Sequence, residues 1–172
     1  MKYIKIYEKF IDVDANHQIQ LDHQLAVAVH QNNPGMVKTS LEAGADPNKK
    51  DYFKGDFLSV AITNNNMSII KNLLKYGADP NIQGRFGYTP LITAARDRFT
   101  KNKVRTGWEN DEYYENVLEE LIMAGADWNI KDDDGEDFFD FLIDYFRQPL
   151  IDKYPEQYKV YKMKKEEEKY NL

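Results

Sequence analysis

The sequence holds three histidines and no cysteine, so its capacity to bind a transition metal depends on His17, His23 and His30. Their spacings of six and seven residues put His23 and His30 two helical turns apart, about 11 Å, if they share a helix. Two imidazoles at that distance cannot hold one ion unless a third ligand folds back between them. Without cysteine there is also no disulfide, no thiolate metal site and no cysteine nucleophile. We therefore predict surface or packing histidines, with no metal site and no cofactor.

A run of acids at residues 132–137 is the second candidate for chemistry, because carboxylates bind calcium and act as general acids and bases. When Gly135 is aligned with the glycine of an EF-hand calcium loop, Ile130 falls at the first ligand position and Phe141 at the closing one. Both essential carboxylates are missing, so no calcium loop is predicted. The sequence also offers no nucleophile beside a base and no phosphate-binding glycine loop. We expect no catalytic site and interpret the run as an acidic hairpin.

The formal net charge of −6 is distributed unevenly along the 172 residues. Residues 109–144 contain fourteen acids and one base, Lys131, which is a local charge of −13. Apolar residues interrupt these acids throughout, so we expect a folded acidic region rather than a disordered tail. An acidic surface disfavours nucleic acid and favours a positively charged protein. The charge pattern therefore predicts a basic protein partner and no nucleic-acid ligand.

The first ten residues alternate charged and apolar side chains, which is not the pattern of a secretory signal peptide. No run of eighteen apolar residues occurs, so no membrane-spanning helix is predicted. Together with the lack of cysteine, these features lead us to expect a cytoplasmic protein, and we expect it to be monomeric when free.

The tripeptide Gly-Ala-Asp occurs three times, beginning at Gly44, Gly77 and Gly125. The intervals are 33 and 48 residues, and eight residues around each copy keep a common register of residue types. Glycine can adopt the left-handed conformation that ends a helix, and the Asp and Asn that follow it favour a turn. Each copy therefore predicts the end of an amphipathic helix and the turn that leads to the next unit.

An earlier helix in each unit is indicated most clearly by residues 89–95. Thr89 is suited to cap a helix that Pro90 opens. Leu91 and Ala94 then share one face of that helix. Shifting the register back by 33 residues, once and then twice, gives Leu58 with Ala61 and Leu25 with Ala28. Small alanines at equivalent positions allow neighbouring helix pairs to stack closely.

The stretch Thr89–Ala94 resembles the helix opening of the ankyrin repeat, Thr-Pro-Leu-His-x-Ala, with Ile92 in place of the histidine, and 33 residues is the ankyrin period. The resemblance implies an all-α, ankyrin-type helical repeat solenoid of about four repeats with hairpin loops and capping helices. It also implies a protein that binds other proteins and has no catalytic residues. The single domain then divides into an N-terminal cap at 1–21, repeats at about 22–48, 49–81, 82–129 and 130–148, an insertion at 98–112 within the third repeat, and a capping helix at 149–172.

Ankyrin proteins bind partners through hairpin tips and the concave face of their first helices, and tip aromatics and arginines are common at interfaces. The residues that this implies are Tyr52, Phe53, Arg85, Phe86, Asp132, Asp133 and Asp134 at the tips, Trp128 in a turn, and Asp140 and Asp144 on the following helix. The alternatives stay open. In the alternative, the aromatic residues at the tips pack back onto their own helices and Trp128 covers the last repeat. The acids then serve only to keep the protein soluble.

Combined with the acidic region, this surface favours an inhibitor or immunity protein that neutralises a basic partner, such as a nuclease toxin, by covering its substrate cleft. The alternative is a regulatory or host-directed adaptor that tethers a cytoplasmic protein without inhibiting it.

Overall fold

The computed structural model describes residues 2–49, 55–102, 111–142 and 144–170, with side chains from residue 16 onward except those of 98–102, 111 and 144–146. The α-helices in these ranges are α1 (Lys2–His30), α2 (Pro34–Glu42), α3 (Phe57–Thr63), α4 (Met67–Lys75), α5 (Pro90–Asn102), α6 (Asp111–Met123), α7 (Asp144–Lys153) and α8 (Pro155–Tyr170). Two short 3-10 helices lie at Arg85–Gly87 and Phe138–Phe141. The prediction of an all-α fold is confirmed. Within the described residues, no helix is long and apolar enough to cross a membrane.

The helices belong to two compact units, Met1–Asp79 and Pro80–Leu172. In the first unit, α2 packs against α1 and α4, and α3 also packs against α1 and α4. In the second, α5 packs against α6 and against the 3-10 helix at Phe138–Phe141, while α7 contacts α8. Packed helix pairs are therefore the repeating element in both units, as the sequence register predicts.

Glycine ends the second helix of each of the first three repeats. Gly44, Gly77 and Gly125 have φ values of +99°, +87° and +93°, a left-handed conformation that side chains with a Cβ rarely adopt. The alanine that follows donates its N–H to the carbonyl five residues earlier, as Ala78 does to Leu73 at 2.9 Å. This Schellman arrangement satisfies carbonyls that the helix end leaves open, and it confirms the role predicted for the Gly-Ala-Asp motif.

The first helix of the third repeat begins where Thr89 and Pro90 predict. Thr89 Oγ1 accepts the N–H of Ile92 at 3.2 Å, and Pro90 is the first residue of α5. The apolar residues at the shared register are each no more than 2% exposed: Leu25, Ala28, Leu58, Ala61, Leu91 and Ala94. The 33-residue register therefore identifies buried positions in both units.

The asparagines four residues after Gly44 and Gly77 have a role that the sequence pattern did not predict. Asn48 donates from Nδ2 to the carbonyl of Gly77 at 2.9 Å, and its Oδ1 accepts the N–H of Asp79 at 2.6 Å. Asn81 makes the same two bonds in the second unit, at 3.1 and 2.7 Å. Each of these asparagines therefore links one repeat turn to the next.

Two helix boundaries differ from the expectation. The predicted N-terminal cap, 1–21, and the first helix of the first repeat form one uninterrupted helix, α1. The predicted insertion at 98–112 begins as a continuation of α5, which reaches Asn102, while residues 103–110 lie outside the described residues. Neither helix has a Pro or Gly at the predicted boundary that would have stopped it.

The C-terminal boundary also moves. Pro149, the predicted helix breaker, lies inside α7, and the helix ends instead before Tyr154. Tyr154 precedes Pro155, and the residue before a proline is sterically disfavoured in the helical conformation. The capping region therefore consists of the end of α7 and a separate α8.

Candidate partner-binding surface

Phe86 lies at the tip of the turn before α5, with 53% of its side chain exposed. A hydrogen bond from the Gly84 N–H to the Tyr88 carbonyl closes this turn at 2.9 Å. Phe86 has a φ of +62°, a left-handed conformation that is unfavourable for a bulky residue. The guanidinium of Arg85 lies 4.6 Å from the centroid of its ring, a cation–π contact. The turn therefore holds an aromatic ring outward in a strained backbone, a combination found at ligand-binding sites.

The Phe86 turn is joined to the acidic turn at residues 132–136. Asp133 donates its N–H to the Phe86 carbonyl at 3.1 Å. Gln83 ties the two segments together by donating from Nε2 to the carbonyls of Gly87 and of Lys131, the residue before the acidic turn, both at 2.9 Å. Gly87 permits this approach, because a Cβ there would lie 2.7 Å from the Asp133 nitrogen. Four exposed residues of the joined turns form what we call the tip surface: Arg85, Phe86, Asp133 and Asp134. Gln83, Gly135 and Glu136 of the same turns are exposed as well.

Asp132 differs from the two acids that follow it, because it is only 7% exposed. Its Oδ1 accepts the N–H groups of Asp134 and Glu136 at 2.9 and 3.0 Å. A carboxylate that accepts main-chain N–H groups in this way organises the turn from within. The expectation that Asp132 faces a partner is therefore corrected: its side chain is directed into the turn.

Asp140 has a structural contact of its own. Its Oδ2 accepts the N–H of Asp137 at 2.8 Å, and Asp137 Oδ1 accepts the N–H of Phe139 at 2.9 Å. These reciprocal bonds form a capping box that starts the 3-10 helix. Asp140 is nonetheless exposed. Asp144 is the first residue of α7, and its side chain lies outside the described ones.

A row of arginine and aromatic side chains adjoins the tip surface, and the sequence reading missed it. The ring centroid of Tyr88 lies 5.7 Å from that of Phe86. The guanidinium of Arg96 lies 4.0 Å from the Tyr88 ring and 5.3 Å from the Phe141 ring. Phe141 lies 45 positions after Arg96 in the sequence. The hydrophobic periodicity of a single helix cannot predict a contact between residues so far apart.

Trp128 is buried, with 2% of its side chain exposed. Its ring packs against those of Phe139, Phe138 and Tyr154, at centroid distances of 5.3, 6.1 and 6.5 Å. The expectation of a partner-facing Trp128 is therefore corrected in favour of its alternative, a packing role in the last repeat. The large ring fills space between the last Gly-Ala-Asp turn and the C-terminal elements.

Two further candidates, Tyr52 and Phe53, lie outside the described residues. Of the histidines, His17 and His23 are exposed and His30 is partly buried. In the part of the chain that the structure describes, no group of three or more His, Cys, Asp and Glu side chains could hold a metal ion.

Lysines of the C-terminal helices neutralise part of the acidic region. The pairs are Lys153 with Glu119 at 3.0 Å, Lys164 with Asp127 at 2.8 Å, and Lys165 with Asp137 at 2.5 Å. Burial alone would raise the pKa of Asp127, but hydrogen bonds from Lys164 and Asn129 outweigh it and lower that pKa below its usual value. The local charge of −13 therefore overstates the charge that a partner meets, and Asp133 and Asp134 remain exposed beside Phe86.

Comparison with known proteins identifies the family. The family model described as ankyrin repeats, in three copies, matches residues 25–132, which is more than half of the chain. No curated protein matches the sequence. Among solved structures, the chain is similar to the ankyrin repeat domain of Bcl-3, described as a unique member of the IkappaB protein family, with 25% sequence identity and a TM-score of 0.57.

That match covers 70% of this chain and 47% of the Bcl-3 chain, so this chain spans about half the length of the solved structure. Ankyrin repeats indicate a module that binds other proteins. From the matched residues and the repeated helix pairs, the chain belongs to the ankyrin-repeat family.

Proposed function

We propose that the chain binds a basic protein through the tip surface. The observation that supports this most directly is the hydrogen bond between Asp133 and Phe86, since it brings exposed carboxylates beside an exposed aromatic ring. An aromatic side chain contributes a large contact area at a small cost in conformational entropy. Carboxylates around it speed the encounter with a basic surface and disfavour an acidic one.

The geometry of the two turns adds to the proposal. Gln83 and the Asp133 N–H hold the turns together before any partner arrives. Binding then does not have to order two separate loops, which lowers its entropic cost. The row formed by Tyr88, Arg96 and Phe141 extends the contact area from the tip towards α5.

In its finer form, the proposal is an acidic inhibitor or immunity protein that covers the substrate cleft of a basic enzyme such as a nuclease toxin. A cleft that binds nucleic acid is lined by lysine and arginine, because these side chains neutralise phosphates. Asp133 and Asp134 can occupy such a cleft in place of the phosphates.

The second candidate is a regulatory adaptor that binds its partner without inhibiting it. The similarity to the ankyrin repeat domain of Bcl-3, described as an IkappaB family member, favours this reading. The two candidates use the same tip surface and differ in what happens to the partner. An inhibitor abolishes an activity of the partner, whereas an adaptor leaves that activity intact.

Affinity capture from the native cell tests the tip surface. The immobilised wild-type chain is compared with Phe86→Asn and with the double variant Asp133→Asn/Asp134→Asn. A basic protein retained by the wild type and lost from both variants is the expected result. The double variant Glu112→Gln/Glu115→Gln is the matched control, because it removes the same charge from exposed acids of α6 and should retain the partner.

A partner that all four chains retain equally contradicts the tip surface. The activity of the captured protein, measured with and without the wild-type chain, then separates an inhibitor from an adaptor.

A further inference from the structure

The helix α8 contacts the last repeat without burying any of its own side chains. No residue of α8 is buried, and Val160 and Met163 are 52% and 54% exposed. A helix that is a permanent part of a folded domain usually buries an apolar stripe along one face. α8 is therefore held by contacts that the last repeat offers from its surface.

Exposed ion pairs form the first group of these contacts. Lys164 contacts Asp127 at 2.8 Å, and Glu168 contacts Lys131 at 2.7 Å. All four side chains are more than one-third exposed, so water and salt screen both pairs. These pairs orient α8 on the repeat but hold it only weakly.

A buried carboxylate and an aromatic ring form the second group. Asp137 is fully buried and pairs with Lys165, while the Tyr161 hydroxyl lies 3.3 Å from the same carboxylate. Phe139 stacks on Tyr161 with a centroid distance of 4.5 Å and an angle of 28°, and its centroid lies 5.6 Å from that of Tyr158. We call the surface that receives α8 the end face: Asp127, Lys131, Asp137 and Phe139.

α8 does not supply the main-chain N–H group that the linking asparagine receives from the next turn in the earlier repeats. Asn129 holds the position of Asn48 and Asn81 in the earlier repeats, but its Oδ1 is buried without a hydrogen-bond partner. In the earlier repeats that oxygen accepts a main-chain N–H from the next turn. A buried acceptor without a donor is unfavourable, so α8 is an incomplete occupant of this end of the array.

We propose that the end face is a binding site for a basic helix of the partner protein, and that α8 is its internal occupant, displaced when the partner binds. This deepens the proposed function, on which it rests for the existence of a basic partner. The partner helix should carry two aromatic residues three apart, followed by lysines three and four residues after the second. That is the pattern of Tyr158, Tyr161, Lys164 and Lys165, which contact Phe139, Asp127 and Asp137 of the end face. The remaining residue of the end face, Lys131, pairs with Glu168 of α8.

The proposal has a test that needs no identified partner. The probe is a fluorescein-labelled peptide with the sequence of residues 155–170, added to the full-length chain and followed by fluorescence anisotropy. In the wild-type chain the tethered α8 competes at an effective concentration of about 1 mM, so the peptide binds weakly. Lys164→Gln/Lys165→Gln in the chain should release α8 and tighten peptide binding at least about fivefold. The same substitutions in the peptide should remove its binding.

Lys159→Gln/Lys169→Gln is the matched control in the chain. It removes two lysines of α8 for which the described residues offer no ion pair, and it should leave the affinity for the peptide as in the wild type. Hydrogen exchange of α5 and α6 is followed in every chain, and their protection should be unchanged while α8 of the Lys164→Gln/Lys165→Gln chain exchanges faster.

Loss of protection in α5 and α6 of the Lys164→Gln/Lys165→Gln chain would overturn the proposal, because α8 would then be part of the cooperative fold. Peptide affinity equal to that of the control chain would overturn it as well. Failure here leaves the tip surface intact as a proposal, since none of these substitutions alters Phe86, Asp133 or Asp134. Failure of the capture experiment likewise leaves the peptide result standing.

Discussion

Asn48 holds the turn of the next repeat through Gly77, whose carbonyl accepts from Asn48 Nδ2 at 2.9 Å. The Oδ1 atom of the same side chain accepts the N–H of Asp79 at 2.6 Å, so one amide satisfies two main-chain groups of a turn. Because Asn48 follows the helix-ending Gly44 by four residues, the motif that ends one repeat also carries the connector to the next.

Replacing this connector should destabilise the fold. Asn48→Ala leaves the Gly77 carbonyl and the Asp79 N–H without their partner, and we expect the free energy of unfolding to fall by about 1–2 kcal/mol. Urea denaturation followed by circular dichroism measures the loss. Asn129→Ala, at the equivalent position where Oδ1 has no partner, should cost less. Equal losses at the two positions would contradict the connector role.

The alanines of the first helices should not tolerate larger side chains. Ala61 is 0% and Ala94 is 1% exposed, so a leucine at either position must displace packed neighbours. We expect Ala61→Leu and Ala94→Leu each to lower the free energy of unfolding by about 1–3 kcal/mol. Ala43→Leu is the control, because Ala43 is exposed at the end of α2. If both core variants unfold at the urea concentration of the control, the register assigned to the first helices does not mark close packing.

Local conformation could be predicted from the sequence, whereas contacts across the chain could not. The roles of Gly44 and Thr89 depend on their residue type and immediate neighbours. The helix ends and the repeat family could therefore be predicted from them. Asp132 shows the limit: composition marks a turn acid as exposed, but hydrogen-bond geometry directs it inward. The Lys164 pair with Asp127 spans 37 residues, and no spacing rule connects its members.

The backbone conformation at Phe86 should lower the stability of the fold. Its φ of +62° costs a bulky residue about 1–2 kcal/mol, whereas asparagine tolerates this conformation. Phe86→Asn is therefore expected to raise the free energy of unfolding by about 0.5–1 kcal/mol, after allowance for the lost contact with Arg85. Phe86→Leu, which keeps a bulky side chain in the same conformation, should show no gain. Thermal and urea denaturation of the two variants compare them directly, and a loss of stability in Phe86→Asn would rule out strain at this turn.

Asp56 should make stability depend on pH in the acidic range. Its Oδ1 caps α3 by accepting the Ser59 N–H at 2.7 Å, and its Oδ2 is buried without a partner. Burial raises the pKa of Asp56 above its usual value, although the hydrogen bonds from Ser59 oppose the rise. A carboxyl group whose pKa is higher in the folded than in the unfolded state lowers the free energy of unfolding when it is ionised. This loss is recovered as the pH falls through the raised pKa of the folded state.

The variant Asp56→Asn keeps the capping oxygen and removes the buried charge. It should raise the free energy of unfolding at pH 7 by about 0.5–1 kcal/mol, and the gain should disappear as the pH is lowered to about 4. Urea denaturation of wild type and variant at both pH values measures the difference. If the gain in free energy of unfolding is the same at both pH values, the charge of Asp56 is not its cause.

The exposed acids of the tip surface should act mainly on the rate of association. Asp133 and Asp134 stand at the rim around Phe86, and rim charges steer the encounter with a basic partner more than they hold the bound state. Asp133→Asn/Asp134→Asn should therefore slow association with the captured partner about tenfold at low salt and flatten its salt dependence, with little change in dissociation. Phe86→Asn should instead speed dissociation and change the association rate little, because the ring is buried against the partner only in the complex. Surface plasmon resonance at two salt concentrations separates these effects, with Glu112→Gln/Glu115→Gln as the charge-matched control. If the tip variant and this control change the association rate equally, the acids act only through net charge and the tip surface is not the site of contact.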